Sequence, residues 1–308
     1  MDSSMVQSRL GVDRPPQRAV LSIKMSFCTA AIFSREAAEH SGPQQRIVGG
    51  SAGLCPHCDT RAMQLQEILY SQGFGTRRVC AGLIQQGHVQ VYGAGGEALT
   101  CTDASAEFDT QALRFRVQGS DWPYAERAYL VLNKPTATEC SQKPSTYPSI
   151  YTLLPSPLRT RPQKAAVQGV QAVGRLDQDT TGMLLLTDDG KFIHRMSSPR
   201  HHVPKVYEVR VKHALDERQV QKLLEGVVLD DDPKPVRAAA CEAVGEFDLR
   251  LTLTEGKYHQ VKRMLAAVSN RVEGLHRSQI GGLALPADLA PGQWRWLSVA
   301  DLALIAGK

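Results

Sequence analysis

Apolar periodicity begins at position 63 and is missing before it. Residues 1–62 are rich in Ser, Ala, Gly and Gln and sustain neither a helical nor a strand period, so they are expected to be mostly disordered. They lack the charged, apolar and cleavage segments of a targeting peptide, and are expected to be an extension upstream of a true start at Met63. From Met63 the pattern changes. Leu65, Ile68 and Leu69 recur at helical spacing, and Gly73-Phe74-Gly75 breaks the run. Thr76 is placed to cap a second helix with Val79, Leu83 and Ile84 on one face, ending near Gly87. His88 to Gly93 then alternates as a strand running into a turn. Two short helices feeding a small sheet make a first module over 63–120.

A linker around Gly119–Glu126 leads to a larger domain, 121–308. Ala128–Pro135 reads as a strand stopped by its proline, and 136–172, rich in Pro, Ser and Thr, as a long loop. Gly182–Gly190 reads as a buried strand closing in an Asp-Gly turn. Lys205–Val211 alternates, with Tyr207, Val209 and Val211 on one face. Asp216 is placed to cap a helix bearing Val220, Leu223 and Leu224 that ends at Gly226. Phe247–Gly256 alternates again, Tyr258–Val268 has helical spacing, strand-like pieces follow to Leu285, and a short helix closes the chain. Strands joined by loops, with few helices between them, predict an α+β fold with a largely antiparallel sheet.

Composition adds bounds. A chain of 308 residues suits two domains. No apolar run reaches the roughly 18 residues of a membrane helix, so no membrane partner is expected. Seven scattered cysteines, an odd number, fit reduced thiols in a cytoplasm better than a disulfide framework. The single Cys55-Pro-His-Cys58 lacks a second ligand pair, and no metal is expected. The net charge of +5 says little, but its distribution says more. Lys191, Arg195, Arg200, Lys205, Arg210 and Lys212 face one acid, Glu208, and Lys257, Lys262, Arg263, Arg271 and Arg277 face Glu273 alone. Such bands suit phosphate contacts, although a basic run is also what an ordinary solvated face looks like.

Three segments carry candidate chemistry. Gly174-Arg175-Leu176-Asp177-Gln178-Asp179-Thr180-Thr181-Gly182 lies in a loop just before a buried strand. A carboxylate held there is a candidate nucleophile or general base, and Arg175 is free to reach a phosphate; by itself the pair also reads as a salt bridge. In Lys205-Val206-Tyr207 the tyrosine is placed to stack on a base or to fill the core. In Glu255 to Met264 a glycine turn feeds a helix carrying Lys262 and Arg263, and a cation beside a carboxylate favours its ionised form.

Two resemblances join these segments. Through "GFGTRR" and "GHVQVYG" the first module resembles the S4-like RNA-binding domain, which implies that Arg77 and Arg78 meet RNA. It lacks the usual Asp-Lys pair in "MQLQEIL", and its 4 basic and 5 acidic residues leave it at −1. "VGRLDQDTTGMLLLTDDG", "SSPRHHVPKVYEV", "EGKYHQVKRMLAAV" and "LHRSQIGGLALPADLAPGQWR" stand in the order found in one family of bacterial rRNA pseudouridine synthases. That family unites the enzyme of the small ribosomal subunit with sister enzymes that modify the large one, and the chain is similar to it over 63–308. The resemblance implies the pseudouridine synthase fold, with Asp177 as the catalytic carboxylate, Tyr207 as the active-site tyrosine and Lys262, in preference to Arg263, as the basic partner of Asp177. It implies that Arg175 helps displace the target nucleotide while Lys205, Arg200 and Arg263 contact RNA. No cofactor is implied. The partner is rRNA, and "SSPRHH" and "LHRSQIGG" favour the small-subunit 16S branch over 23S. A cytoplasmic monomer is expected. The rivals are a non-catalytic rRNA-binding assembly protein and a hydrolase pairing Asp177 with Asp179. One departure stands out: Ala137 occupies the place, two residues after "LNKP", where the family has glycine.

Overall fold

The buried triplet Leu65, Ile68 and Leu69 anchors the first helix. In the computed structural model residues 62–93, 96–163, 167–230 and 232–307 are described. The expectations for the extension, including its disorder and the Cys55–Cys58 pair, fall almost wholly outside them. Ala62–Gln64 (β1) pairs with Glu107–Asp109 (β4) beside helix α1 (Leu65–Ser71). Helix α2 (Arg77–Gln85) starts where the Thr76 hydroxyl accepts from the Val79 N–H at 3.4 Å. The expected apolar face needs one correction. Val79 is half exposed and Cys80 is buried, because Cys80 and Ile84, four residues apart, define the inward stripe while Val79 stands one step off it against Gly75. Strands β2 (Val89–Tyr92), β3 (Ala98–Thr100), β5 (Arg114–Val117) and β6 (Ser120–Pro123) form a sheet in the order β3-β2-β5-β6. Val89, Val91, Phe115 and Val117 from that sheet share one core with both helices. The sheet runs to Pro123, so residues expected as linker are strand, and Trp122 packs edge-on against Phe74 at 5.3 Å.

The remaining elements are β7 (Tyr129–Lys134), α3 (Ser156–Thr160), β8 (Gln171–Ala172), β9 (Thr181–Thr187), α4 (Gly190–Ser197) and β10 (Lys205–Val211). They continue with α5 (Glu217–Glu225), β11 (Val227–Leu229), β12 (Asp232–Val236), β13 (Ala240–Ala243), β14 (Asp248–Leu253) and α6 (Gln260–Ala267). The chain closes with β15 (Val272–Ile280), β16 (Leu283–Ala284), β17 (Trp294–Trp296) and α7 (Val299–Ile305). The main sheet has the order β13-β14-β10-β15-β9-β7-β17, with β16 on β15 and β8 on β9. Its pairings are antiparallel except for the central β15–β9 contact, so the expected α+β class with a mainly antiparallel mixed sheet holds. Alternation assigns the two faces. Leu130, Leu132, Leu184 and Leu186 join Tyr207, Val209, Leu249, Leu251, Val261 and Leu265 in one core. Val131, Met183 and Leu185 point the other way, onto Phe192, Met196 and Ile305.

Two sequence expectations are corrected here. Asp189-Gly190 does not turn a hairpin: the Asp189 carboxylate accepts from the N–H groups of Lys191 (2.9 Å) and Phe192 (3.2 Å) and caps α4. An Asp before Gly serves either purpose, and the helical spacing of Phe192 and Met196 decides. The loop at 136–172 contains a 3-10 turn, Ile150–Leu153, and α3, which bury Ile150, Leu154 and Leu158. Within it Ala137 adopts the left-handed conformation (φ 54°) that glycine takes without steric cost, at a penalty of about 1–2 kcal/mol.

The first module is tied to the sheet through Arg161. Its Nε donates to Asp188 Oδ2 at 2.7 Å, Nη1 to Gln72 Oε1 at 2.6 Å and Nη2 to the Ala125 carbonyl at 2.6 Å. Asp188 Oδ1 accepts the Ala128 N–H at 2.8 Å, and the Thr160 hydroxyl donates to the Gly73 carbonyl at 2.7 Å. Both ionic side chains are buried, so removing one strands the other. Arg161→Met is expected to lower unfolding stability by about 3–5 kcal/mol in urea titration. A loss below about 1 kcal/mol would mean the pair behaves as a surface contact.

Candidate active site

The loop between β8 and β9 carries the central carboxylate, and its shape is imposed from beneath. Leu176 is buried in the main core, and the Thr180 N–H closes on the Asp177 carbonyl at 3.1 Å. Lys134, fully buried at the end of β7, donates to the carbonyls of Pro135 (3.0 Å), Gln178 (3.3 Å) and Thr180 (2.9 Å). Burial holds its ammonium below the ordinary lysine range. At Gly182 the parallel strands nearly touch: a Cβ there would lie 2.4 Å from the Arg277 carbonyl oxygen, and the backbone is left-handed (φ 102°). Only glycine fits. The Asp177 carboxylate is left partly exposed in the loop that leads into β9.

Helix α6 supplies the counter-charge. Val261, Met264 and Leu265 bury its inner face, which turns Lys262 outward toward the loop. Lys262 Nζ lies 3.1 Å from Asp177 Oδ2, and 2.7 Å and 2.9 Å from the two oxygens of Asp179. Burial pushes the Lys262 ammonium down, but the bonds and charges of Asp179 and Asp177 outweigh it, and the net shift is upward. At Asp179 burial acts upward and the Lys262 hydrogen bond and charge overcome it, so its carboxyl stays below the usual range. His259, at the left-handed start of α6 (φ 48°), puts Nε2 3.3 Å from Asp177 Oδ1. Its ring stacks on Tyr258 at 3.8 Å, and Tyr258 stands 76% exposed.

These groups border a cleft of about 710 Å³. Asp177, Arg175, Tyr207, Lys205 and Lys262 all line it. Tyr207 is 8% exposed and belongs to the core cluster, so it serves both as wall and as packing. Arg175 is exposed. Lys205 donates to the Val203 carbonyl at 2.9 Å, and burial together with the charge of Arg277 pushes its ammonium down to about 8. Of the two cations considered for Asp177, Lys262 is the one that faces it, whereas Arg263 Nη1 donates to the Tyr258 carbonyl at 3.1 Å and lies outside the cleft lining. Arg200, exposed in a 3-10 turn (Pro199–His201), also lies outside the lining. So do Arg77, paired with Glu67 at 2.5 Å and 4.1 Å from the Tyr70 ring, and the exposed Arg78. The sequence gives no role to Lys134 or His259, and marks Arg277 only as one member of a basic band. Lys134 stands in "LNKP" and His259 in "GKYHQVKRM", so each could have been noticed by its neighbours. Nothing in the order of residues signals the burial of Arg277.

A family model described as RNA pseudouridylate synthase matches residues 128–267. The chain is 40% identical over 188 residues to ribosomal small subunit pseudouridine synthase A of Pasteurella multocida (strain Pm70), covering 61% of this chain and 78% of the relative. The protein of the same name from Escherichia coli (strain K12) is 41% identical over 177 residues, covering 58% and 73%. That of Haemophilus influenzae (strain ATCC 51907 / DSM 11121 / KW20 / Rd) is 33% identical over 243 residues, covering 78% and 98%. A solved structure titled as a pseudouridylate synthase superposes with a TM-score of 0.53 at 32% identity, covering 79% of this chain and 99% of that one.

Lys205 offers a direct test of the cleft's electrostatics. Its pKa falls from 10.5 to about 8 on folding, so between these values the unfolded chain binds more protons. Stability contributed by this group therefore rises with pH across that window. Lys205→Met is expected to be more stable than wild type at neutral pH, with an advantage that shrinks as pH rises from about 8 toward 10.5, as measured by denaturant unfolding at several pH values. An advantage independent of pH would show that the ammonium is not penalised.

Proposed function

The chain belongs to the RNA pseudouridylate synthase family, and on that premise we propose that it isomerises a specific uridine of 16S rRNA to pseudouridine, with Asp177 as catalytic nucleophile or base. One observation carries the assignment of the carboxylate. Asp177 borders the cleft with its Oδ2 3.1 Å from Lys262 Nζ, and Tyr207 lines the same cleft. An ionised, anchored carboxylate beside an aromatic surface is what attack on an extruded nucleoside requires. The relatives' names, which specify the ribosomal small subunit, support 16S as the substrate.

The steps follow from the geometry. A uridine within folded RNA hides its glycosidic bond, so it leaves the stack before it reacts. Arg175, exposed on the loop that carries Asp177, holds the displaced strand at the mouth. Tyr207 packs against the extruded base. Asp177, anchored by Lys262 at 3.1 Å, acts while the N1–C1′ bond breaks. The uracil then turns and rejoins C1′ through C5. The C5 proton leaves and N1 regains one, so atoms balance and no electrons are exchanged. We assign the helical module over 62–123 a role in gripping rRNA through the outer face that bears Arg77 and Arg78. No helix of the described residues is long and apolar enough to cross a membrane.

Pseudouridine should be mapped chemically in 16S and 23S rRNA from cells carrying wild-type protein, none, or Asp177→Asn. One 16S site is expected to vanish both in the deletion and in the variant. Loss at a 23S site instead would move the substrate to the large subunit. An unchanged map, with purified protein also inert on bare rRNA and ribosomal particles, would replace the enzyme with a binding protein.

A further inference from the structure

Two cations in the wall of the cleft that are not exposed, Arg277 and Lys205, have no carboxylate against them among the described residues. Arg277, on β15, is 3% exposed, and its Nε donates to the Met183 carbonyl at 2.8 Å. Its Nη2 is buried and meets no acceptor among the described residues. Lys205, on the neighbouring strand β10, has its ammonium on the Val203 carbonyl. The two repel each other, which adds to the burial that depresses Lys205. A second buried arginine provides the comparison. Arg161, 2% exposed, has a carboxylate at 2.7 Å, a side-chain amide and a carbonyl. This fold thus satisfies a buried guanidinium where one serves structure alone, and leaves Arg277 short.

Burying a cation without an anion is unfavourable, and such a group persists where a ligand completes it. The position of the deficit is informative. Arg277 and Lys205 both line the cleft. Arg277 is the cross-strand partner of Tyr207, so the two side chains leave the sheet on the same face. Thr180 Oγ1, the other buried side-chain atom lacking a partner among the described residues, belongs to the same cleft. The missing anion therefore belongs within about one nucleotide of a base packed on Tyr207. The negative group that RNA offers at that spacing is a phosphodiester.

We propose that Arg277 and Lys205 together form a subsite for a phosphodiester flanking the extruded uridine, which makes Arg277 a substrate-positioning residue of this cleft. The proposal rests on the reading of the protein as an RNA-modifying enzyme. In that role the two strands that carry Tyr207 and Arg277 also fix the backbone of the nucleotide, so base and phosphate are held by one rigid piece of sheet.

The test is a charge-deletion cycle on a 16S rRNA fragment containing the uridine that the wild type converts. The phosphate 5′ or 3′ of that uridine is replaced by an uncharged methylphosphonate, and KM and kcat are measured for wild type, Arg277→Gln and Lys205→Met. At one of the two positions, neutralising the phosphate is expected to raise the wild-type KM about tenfold or more, and to change KM in each variant by less than about twofold. Losses that simply multiply at both positions would overturn the subsite and leave Arg277 a structural residue or a contact to the uracil. Should Arg277→Gln fail to fold, the Lys205→Met cycle decides by the same criterion. A wild type that converts no uridine in any rRNA fragment would overturn the enzyme reading and the subsite with it.

Discussion

One ammonium holds two carboxylates at the centre of this protein. Lys262 Nζ contacts both Asp177 and Asp179, which lie two residues apart on the same loop. Burial pushes the Asp179 carboxyl up, and the hydrogen bond and charge of Lys262 bring it below the usual range. Much of the surrounding structure keeps those three groups in place. Leu176 anchors the loop from below and Lys134 ties its carbonyls to β7. Gly182 lets β9 approach β15 closely enough for the loop to reach α6. The buried stripe of α6 fixes which of its two adjacent cations turns toward the loop.

The division of labour between Asp177 and Asp179 follows from their contacts. Asp179 takes the two shorter bonds from Lys262 and its side chain is 61% exposed. Asp177 takes one longer contact and borders the cleft beside His259 and Tyr207. Asp179 therefore neutralises and orients the ammonium, while Asp177 stands between Lys262 and His259 at the cleft. This arrangement gives no support to a hydrolase in which both carboxylates flank one bond, since the pair is occupied by a shared cation. The basic groups divide too. Lys205, Arg277 and Arg175 border the cleft, whereas Arg77, Arg78 and Arg200 are exposed outside its lining.

Much of the fold was legible where periodicity is strong. The alternation of Tyr207, Val209 and Val211 places those side chains in the core as expected, and Asp216 caps its helix with a full capping box. Local ambiguity explains the misses. Asp189-Gly190 serves equally as a hairpin turn and a helix start, and short helical turns in a Pro- and Ser-rich stretch leave no sustained period. The site was legible as motifs but not as a geometry. Asp177, Tyr207 and Lys262 lie far apart in the chain, and the resemblance named them together. The choice of Lys262 over Arg263 depends on the rotation of α6, and the isolation of Arg277 depends on a parallel contact between β9 and β15. Neither is written in local spacing.

Lys262 anchors the Asp177 carboxylate at the border of the cleft. Single-turnover conversion, by Lys262→Met and Lys262→Arg, of an rRNA fragment that the wild type modifies measures what this anchoring contributes. Lys262→Met is expected to slow the chemical step by about 10²–10³-fold with little change in RNA affinity, and Lys262→Arg to retain most of the rate. A Lys262→Met rate within a few-fold of wild type would contradict it.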